Sequence, residues 1–213
     1  IKVMMLLASK GPDIGGMEKQ IALQARHLNG LPEFCVSIVA ASCYQTLFES
    51  SGTFEAGGAF YVSNMSRSRR HPASLWSLHK LIEQQRPDII HAHGHKACSL
   101  ISRLSQLSGR RSRVRSTLRV ATVHGTKKSN RCLNSMHKVF AVSEGVKQAI
   151  APVPSTVIGN AVEPFHGQVI TKAELCEQYQ LDQSKLLAIA VGRLAPVKRY
   201  DLLMESFRNV DAN

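Results

Sequence analysis

Two cations in one short run, Arg193 and Lys198 in LAIAVGRLAPVKRYDLLMESF (187–207), are the residues best suited to hold a phosphate. The apolar stretch Leu186–Val191 reads as a buried strand, Gly192-Arg193 opens a proline-containing turn, and an amphipathic helix is expected to begin near Lys198. Arginine offers a planar fork to phosphate oxygens, and lysine a point charge. Cations at a helix start, Lys198 and Arg199 here, oppose the macrodipole by a few tenths of a kcal/mol unless an anion sits there. Free backbone N–H groups beside such cations form an anion site. A diphosphate held there as a leaving group would have its growing charge stabilised in the transition state.

Two further sets of residues fit the same chemistry. Gly15-Gly16 stands between an apolar first segment and a helical pattern, where glycines let a ligand approach the backbone and leave helix N–H groups free. The spacing is not G-x-G-x-x-G, so no dinucleotide fingerprint is present. His124-Gly125 follows the apolar segment Leu118–Val123, and a histidine there can hydrogen-bond a hydroxyl or stabilise developing charge. His91, His93 and His95 alternate, so on an extended segment they would share a face. Three imidazoles could bind zinc, but no carboxylate or cysteine sits close in sequence to complete the shell, and no metal is expected. His91 is expected to be partly buried, with His93 and His95 lining a sheet edge.

These residues need a scaffold of alternating strands and helices. Strands are expected at Ile1–Ala8, Phe34–Ala41, Ala59–Val62, Asp88–His91, Leu118–Val123, Val139–Val142 and Thr156–Ile158. Helical spacing marks Met17–Leu28, Leu75–Ile82 and Leu100–Leu107, and Ser143 is a good N-cap for Glu144–Ile150. Repeated βαβ units predict a doubly wound, parallel α/β sheet, with ligands at the C-terminal ends of its strands. Near Asn160 the pattern changes. NAVEPFHGQ is loop-like, and Thr171-Lys-Ala-Glu174 offers a capping box for a helix through Tyr179. The expected division is residues 1–162 as one domain, then 163–213 as a linker and the start of a second.

The 213 residues carry 44% hydrophobic and 20% charged side chains, the balance of a globular protein. No apolar run reaches the length of a transmembrane helix, and IKVMMLLAS at the start reads as a strand. Five scattered cysteines, none in a C-x-x-C pair, argue against a disulfide framework and for a reducing, cytoplasmic setting. The net charge of +12 is concentrated between Asp88 and Glu144, where no acidic residue occurs. Within that interval lie Lys96, Arg103, Arg110, Arg111, Arg113, Arg115, Arg119, Lys127, Lys128, Arg131 and Lys138. Such a tract suits a phosphate-rich partner such as anionic lipid or phosphorylated glycan. Nucleic acid is not expected, because no aromatic residue interleaves the cations from Lys96 to Lys138.

In this order the pieces GGMEKQIALQARHLNG, RPDIIHAHG, TVHG, VFAVSEGVKQAI, VIGNAVEPF and VGRLAPVKRYDLLMESF resemble the retaining, GT-B-fold glycosyltransferases of the "glycosyl transferases group 1" family. The resemblance implies two Rossmann-like domains, the first binding an acceptor and the second a nucleotide sugar. It places Gly15 and Gly16 against the donor phosphates, His124 at the transferred sugar, and Arg193 and Lys198 on the diphosphate, with these last three as catalytic residues. It implies a UDP- or GDP-sugar donor and no cofactor, while the charge of the basic tract suits a glycan or lipid-linked acceptor, as in lipopolysaccharide synthesis. Arg110, Arg111, Arg113, Arg115, Lys127 and Lys128 would form an acceptor or membrane patch at the inner face of the plasma membrane. The family's N-G-V-D hinge reads Asn160-Ala161-Val162-Glu163 here, and its E-x-x-x-x-x-x-x-E motif would fall beyond Asn213. The chain alone is therefore expected to be inactive. A non-catalytic anion- or membrane-binding module is the competing reading.

Overall fold

The computed structural model describes residues 1–213 except Lys10, Pro12, Asp13, Asn64, Ser66, Arg67, Arg69, Arg110, Lys128, Arg193, residues 209–213 and the side chain of Val197. The chain divides into two compact units, Ile1–Glu163 and Pro164–Asn213.

The first unit is built on a seven-stranded sheet. Its strands are β1 (Lys2–Leu7), β2 (Cys35–Ala40), β3 (Phe60–Val62), β4 (Ile89–His93), β5 (Leu118–Val123), β6 (Lys138–Ala141) and β7 (Thr156–Val157). They lie in the order β3-β2-β1-β4-β5-β6-β7, and every pairing is parallel. This is the doubly wound, Rossmann-like arrangement expected. The helices are α1 (Gly16–Asn29), α2 (Gln45–Ser50), α3 (Pro72–Gln85), α4 (Gly94–Leu107), α5 (Arg113–Ser116) and α6 (Glu144–Ala149).

A strand covered on both faces can be apolar throughout. In β1 alternate residues feed opposite layers. Val3, Met5 and Leu7 pack with Ile21 and Ala25 of α1 and with Tyr44 and Phe48. Met4 and Leu6 join Leu78 and Ile82 of α3 and Ile101 and Leu104 of α4 on the other face. Buried Asn29 ties the end of α1 to β2, since its amide donates to the Val36 carbonyl and accepts from the Val36 N–H at 2.6 Å. Ser143 caps α6 by accepting the Val146 N–H at 3.2 Å.

The register sets up the edge that matters. Leu7 lies opposite His93, His93 opposite Thr122, and Val123 opposite Ala141. The loops after β1, β4 and β5 therefore leave the sheet side by side. Strand order reverses between β1 and β4, which makes their C-terminal ends the switch point where doubly wound sheets open a crevice.

The second unit holds α7 (Lys172–Gln178) and α8 (Tyr200–Arg208). Thr171 and Glu174 form the expected capping box at α7, with the Glu174 carboxylate accepting the Thr171 N–H at 2.8 Å. Two expectations are corrected here. Leu186–Val191 forms no strand, and Leu186, Ile189 and Val191 are exposed. A strand needs hydrogen-bonded neighbours, and no paired strand occurs in this unit among the described residues. Nor does α8 begin at Lys198. Pro196–Lys198 is a single tight turn, Arg199 has φ of 50°, and the helix starts at Tyr200. The Arg199 guanidinium pairs with Asp201 at 3.1 Å, so the first helical turn carries its own anion.

Candidate functional site

At the end of β1, the turn into α1 is held by two hydrogen bonds. The Tyr44 hydroxyl donates to the Gly11 carbonyl. The Glu18 carboxylate, buried in the first turn of α1, accepts the Gly15 N–H at 3.0 Å. That N–H is therefore occupied, which corrects the expectation of free donors at both glycines. The signal was legible: Gly15 and Glu18 have the spacing of an N-cap and its third helical residue. Gly16 is different. A Cβ built on it meets nothing within 4 Å, and its backbone needs no positive φ. Nothing inside the described protein requires glycine there, whereas a ligand against the backbone would.

On the neighbouring strand, β4 runs directly into α4 through Gly94, whose φ of 76° suits glycine alone. This hinge places His93 at the strand end and His95 in the first turn of the helix. Both are buried, with His93 1% exposed, so neither lines an open edge as expected. The reason is the central place of β4, covered by α4 above. His95 Nε2 meets the Asn130 amide oxygen at 2.9 Å and belongs to a separate cluster.

Three imidazoles do come together, but they are His91, His93 and His124. The His91 and His93 rings stack with centroids 4.1 Å apart, and His93 and His124 with centroids 5.5 Å apart. His93 Nδ1 and His124 Nε2 are 3.2 Å apart, a shared hydrogen bond between the ends of β4 and β5. His91 Nε2 meets the Thr122 hydroxyl at 2.8 Å. Burial lowers His91 to about 4, helped by the neighbouring His124. It holds His93 well below the usual histidine range, with His91 and His124 adding to the effect. His124 is lowered by burial too. All three rings are neutral at pH 7. The ring planes are tilted by 34° and 30° within the two pairs, and among the described residues no group of three ligands is placed to hold a metal ion.

The basic tract does not gather on one face. Arg111, Arg113 and Arg115, all exposed, precede β5 and lie at the N-terminal edge of the sheet with Lys138. Exposed Lys127 follows β5 at the opposite, C-terminal edge. Arg110 and Lys128 lie outside the described residues. Arg119 is not a free cation. Its guanidinium donates to the carbonyls of Ser135, Val114 and Arg115 at 3.0, 3.0 and 3.1 Å, and burial lowers its pKa. In the second unit Lys198 closes the turn before α8, and Arg193 lies outside the described residues. No helix among the described residues is long and apolar enough to cross a membrane.

A glycine turn and a buried histidine pair stand at the switch point of this parallel sheet, the edge where Rossmann-like domains bind ligands, and the sheet is of the kind found in GT-B glycosyltransferases. The profile of Glycosyltransferase Family 4 matches residues 14–164, and the chain belongs to that family. The matched residues hold Gly15, Gly16 and His124 but not the 187–207 run. No curated protein matches the sequence. Among solved structures, Alr3699/HepE from Anabaena in complex with UDP and glucose is similar, with a TM-score of 0.67 and 18% identity over 99% of this chain and 58% of that one. A glycosyltransferase from Rickettsia africae ESF-5 has a TM-score of 0.59 and 15% identity over 85% and 50%. UDP-GlcNAc 2-epimerase from Neisseria meningitidis, bound to UDP-GlcNAc, has 0.50 and 13% over 100% and 56%. At these identities the likeness is one of fold. The chain spans between 50% and 58% of the length of these three proteins.

Proposed function

We propose that the protein transfers a sugar from a UDP- or GDP-sugar to a hydroxyl of a glycan or lipid-linked acceptor, with retention at the anomeric carbon. The observation that carries this reading is the placing, at the C-terminal edge of one sheet, of Gly16 after β1 and the neutral His124 after β5, on either side of β4. Gly16 leaves room for a phosphate or sugar against the backbone, and His124 offers a hydrogen bond to a sugar hydroxyl. Arg193 and Lys198 would neutralise the departing diphosphate, so the leaving group needs no metal. The first domain would take the acceptor and the second the donor. Family membership and the UDP and UDP-GlcNAc bound by proteins of similar fold support the donor class.

The exposed Arg111, Arg113 and Arg115 at the opposite edge support a second role, docking on an anionic membrane surface at the cytoplasmic face. A phosphorylated envelope glycolipid such as a lipopolysaccharide core would then be the acceptor. The non-catalytic alternative predicts vesicle binding with steep salt dependence and no response to nucleotide sugars. In the full-length polypeptide, alanine at Arg193 and Lys198 together should slow transfer at least a hundredfold, roughly the loss seen when transition-state charge stabilisation is removed. Near-normal turnover would overturn the assignment. The product anomer, read by proton NMR, tests retention.

A further inference from the structure

We infer that His93 is a positioning residue that fixes the tautomer of His124, making His124 a neutral donor through Nδ1 and not a proton acceptor. The bond between His93 Nδ1 and His124 Nε2, at 3.2 Å, has one proton to share between two rings. If His124 donated it, the proton of neutral His93 would sit on Nε2. That atom is buried and has no hydrogen-bond partner. A buried N–H with no acceptor is among the rarest arrangements in folded proteins, whereas an unused lone pair is tolerated more often. The other arrangement meets every demand. His93 donates through Nδ1, its Nε2 carries only a lone pair, and His124 receives at Nε2 and keeps its own proton on Nδ1.

Neighbouring groups hold this state in place. The His91 ring stacks on His93 and is itself fixed by the Thr122 hydroxyl, so the His93 ring cannot swing away without breaking the stack. Nothing acidic is bonded to the three rings among the described residues, so no carboxylate is there to draw a second proton onto His93 or His124. His124 Nδ1 makes no hydrogen bond among the described residues, and the ring is only half-buried. It is left to address an oxygen acceptor in the crevice.

The consequence for chemistry rests on the proposed sugar transfer, but the tautomer does not. With Nε2 engaged, His124 has no free lone pair to take a proton from an attacking hydroxyl. It serves as an N–H donor to a sugar oxygen, and the acceptor proton must leave by another route. This agrees with a mechanism whose charge is met on the departing diphosphate.

The test is long-range nitrogen–proton NMR of the imidazoles in the protein at neutral pH. His93 and His124 should both show the Nδ1–H pattern, the tautomer that free histidine populates less. In His93→Phe, which keeps a ring but no donor, His124 should revert to mainly Nε2–H. In His93→Asn, whose amide nitrogen sits near the position of Nδ1, the Nδ1–H pattern should return. An Nε2–H or charged His124 in the unaltered protein would overturn the inference even if no variant folded. So would a His124 that keeps its pattern in folded His93→Phe. None of these readings depends on turnover, so a failed transfer assay leaves this result standing, and the reverse.

Discussion

Acidification from pH 7 to pH 5 should weaken the first unit by about 2 kcal/mol through His91 alone. In the unfolded chain His91 titrates near 6.5, and in the folded unit its pKa is lowered to about 4. Between those values the unfolded chain binds more protons, so stability falls as the pH falls. The contribution is complete above about 6.5 and is lost as the pH drops toward about 4, where the folded ring charges too. The full difference of about 2.5 units amounts to roughly 3 kcal/mol, of which about 2 falls between pH 7 and pH 5. His93 and His124 are shifted the same way and steepen the slope. The assay is urea unfolding followed by far-UV circular dichroism at both pH values, for the protein and for His91→Gln. Glutamine keeps a partner for the Thr122 hydroxyl but cannot take a proton. With a slope of about 2 kcal/mol per molar urea, the midpoint difference between pH 7 and pH 5 should shrink by about 1 M in the variant. Equal acid sensitivity in both proteins would refute the neutral, buried state of His91. Stability that rose on acidification would refute the sign.

Gly94→Ala should cost about 1–2 kcal/mol in urea unfolding, because its φ of 76° is strained for any side chain. Gly16→Ala should leave stability unchanged or slightly raised, since its Cβ meets nothing, and yet weaken nucleotide-sugar binding measured by calorimetry. Unchanged binding there would remove Gly16 from the site. Arg119→Lys should destabilise the first unit by about 1–3 kcal/mol, because an ammonium cannot reach the Ser135, Val114 and Arg115 carbonyls as the guanidinium does.

The scaffold was legible because its signals are local. Both-face burial makes β1 apolar from Val3 to Leu7, Ser143 and Thr171 mark helix starts, and helical periodicity marks α1, α3 and α4. The short α2 and α5 were not anticipated, since six and four residues carry too little periodicity to register. The site was half legible. Gly16 and His124 stand at strand ends, which chain order alone predicts once the sheet is parallel. The His91–His93–His124 stack was not anticipated, because it depends on the β4–β5 register and on Gly94 sending His95 into a helix. The cation tract misled for a related reason. Nearness in sequence around β5 spans the length of the strand, so residues before and after it emerge at opposite edges.

The central claim is sugar transfer at the crevice beside His124. The full-length polypeptide should be given UDP- and GDP-hexoses with an envelope glycolipid extract, and both nucleoside diphosphate release and sugar incorporation followed. One donor should yield both, and His124→Ala should reduce both by at least tenfold while the protein stays folded. No incorporation from any donor, or incorporation that His124→Ala leaves intact, would contradict the account.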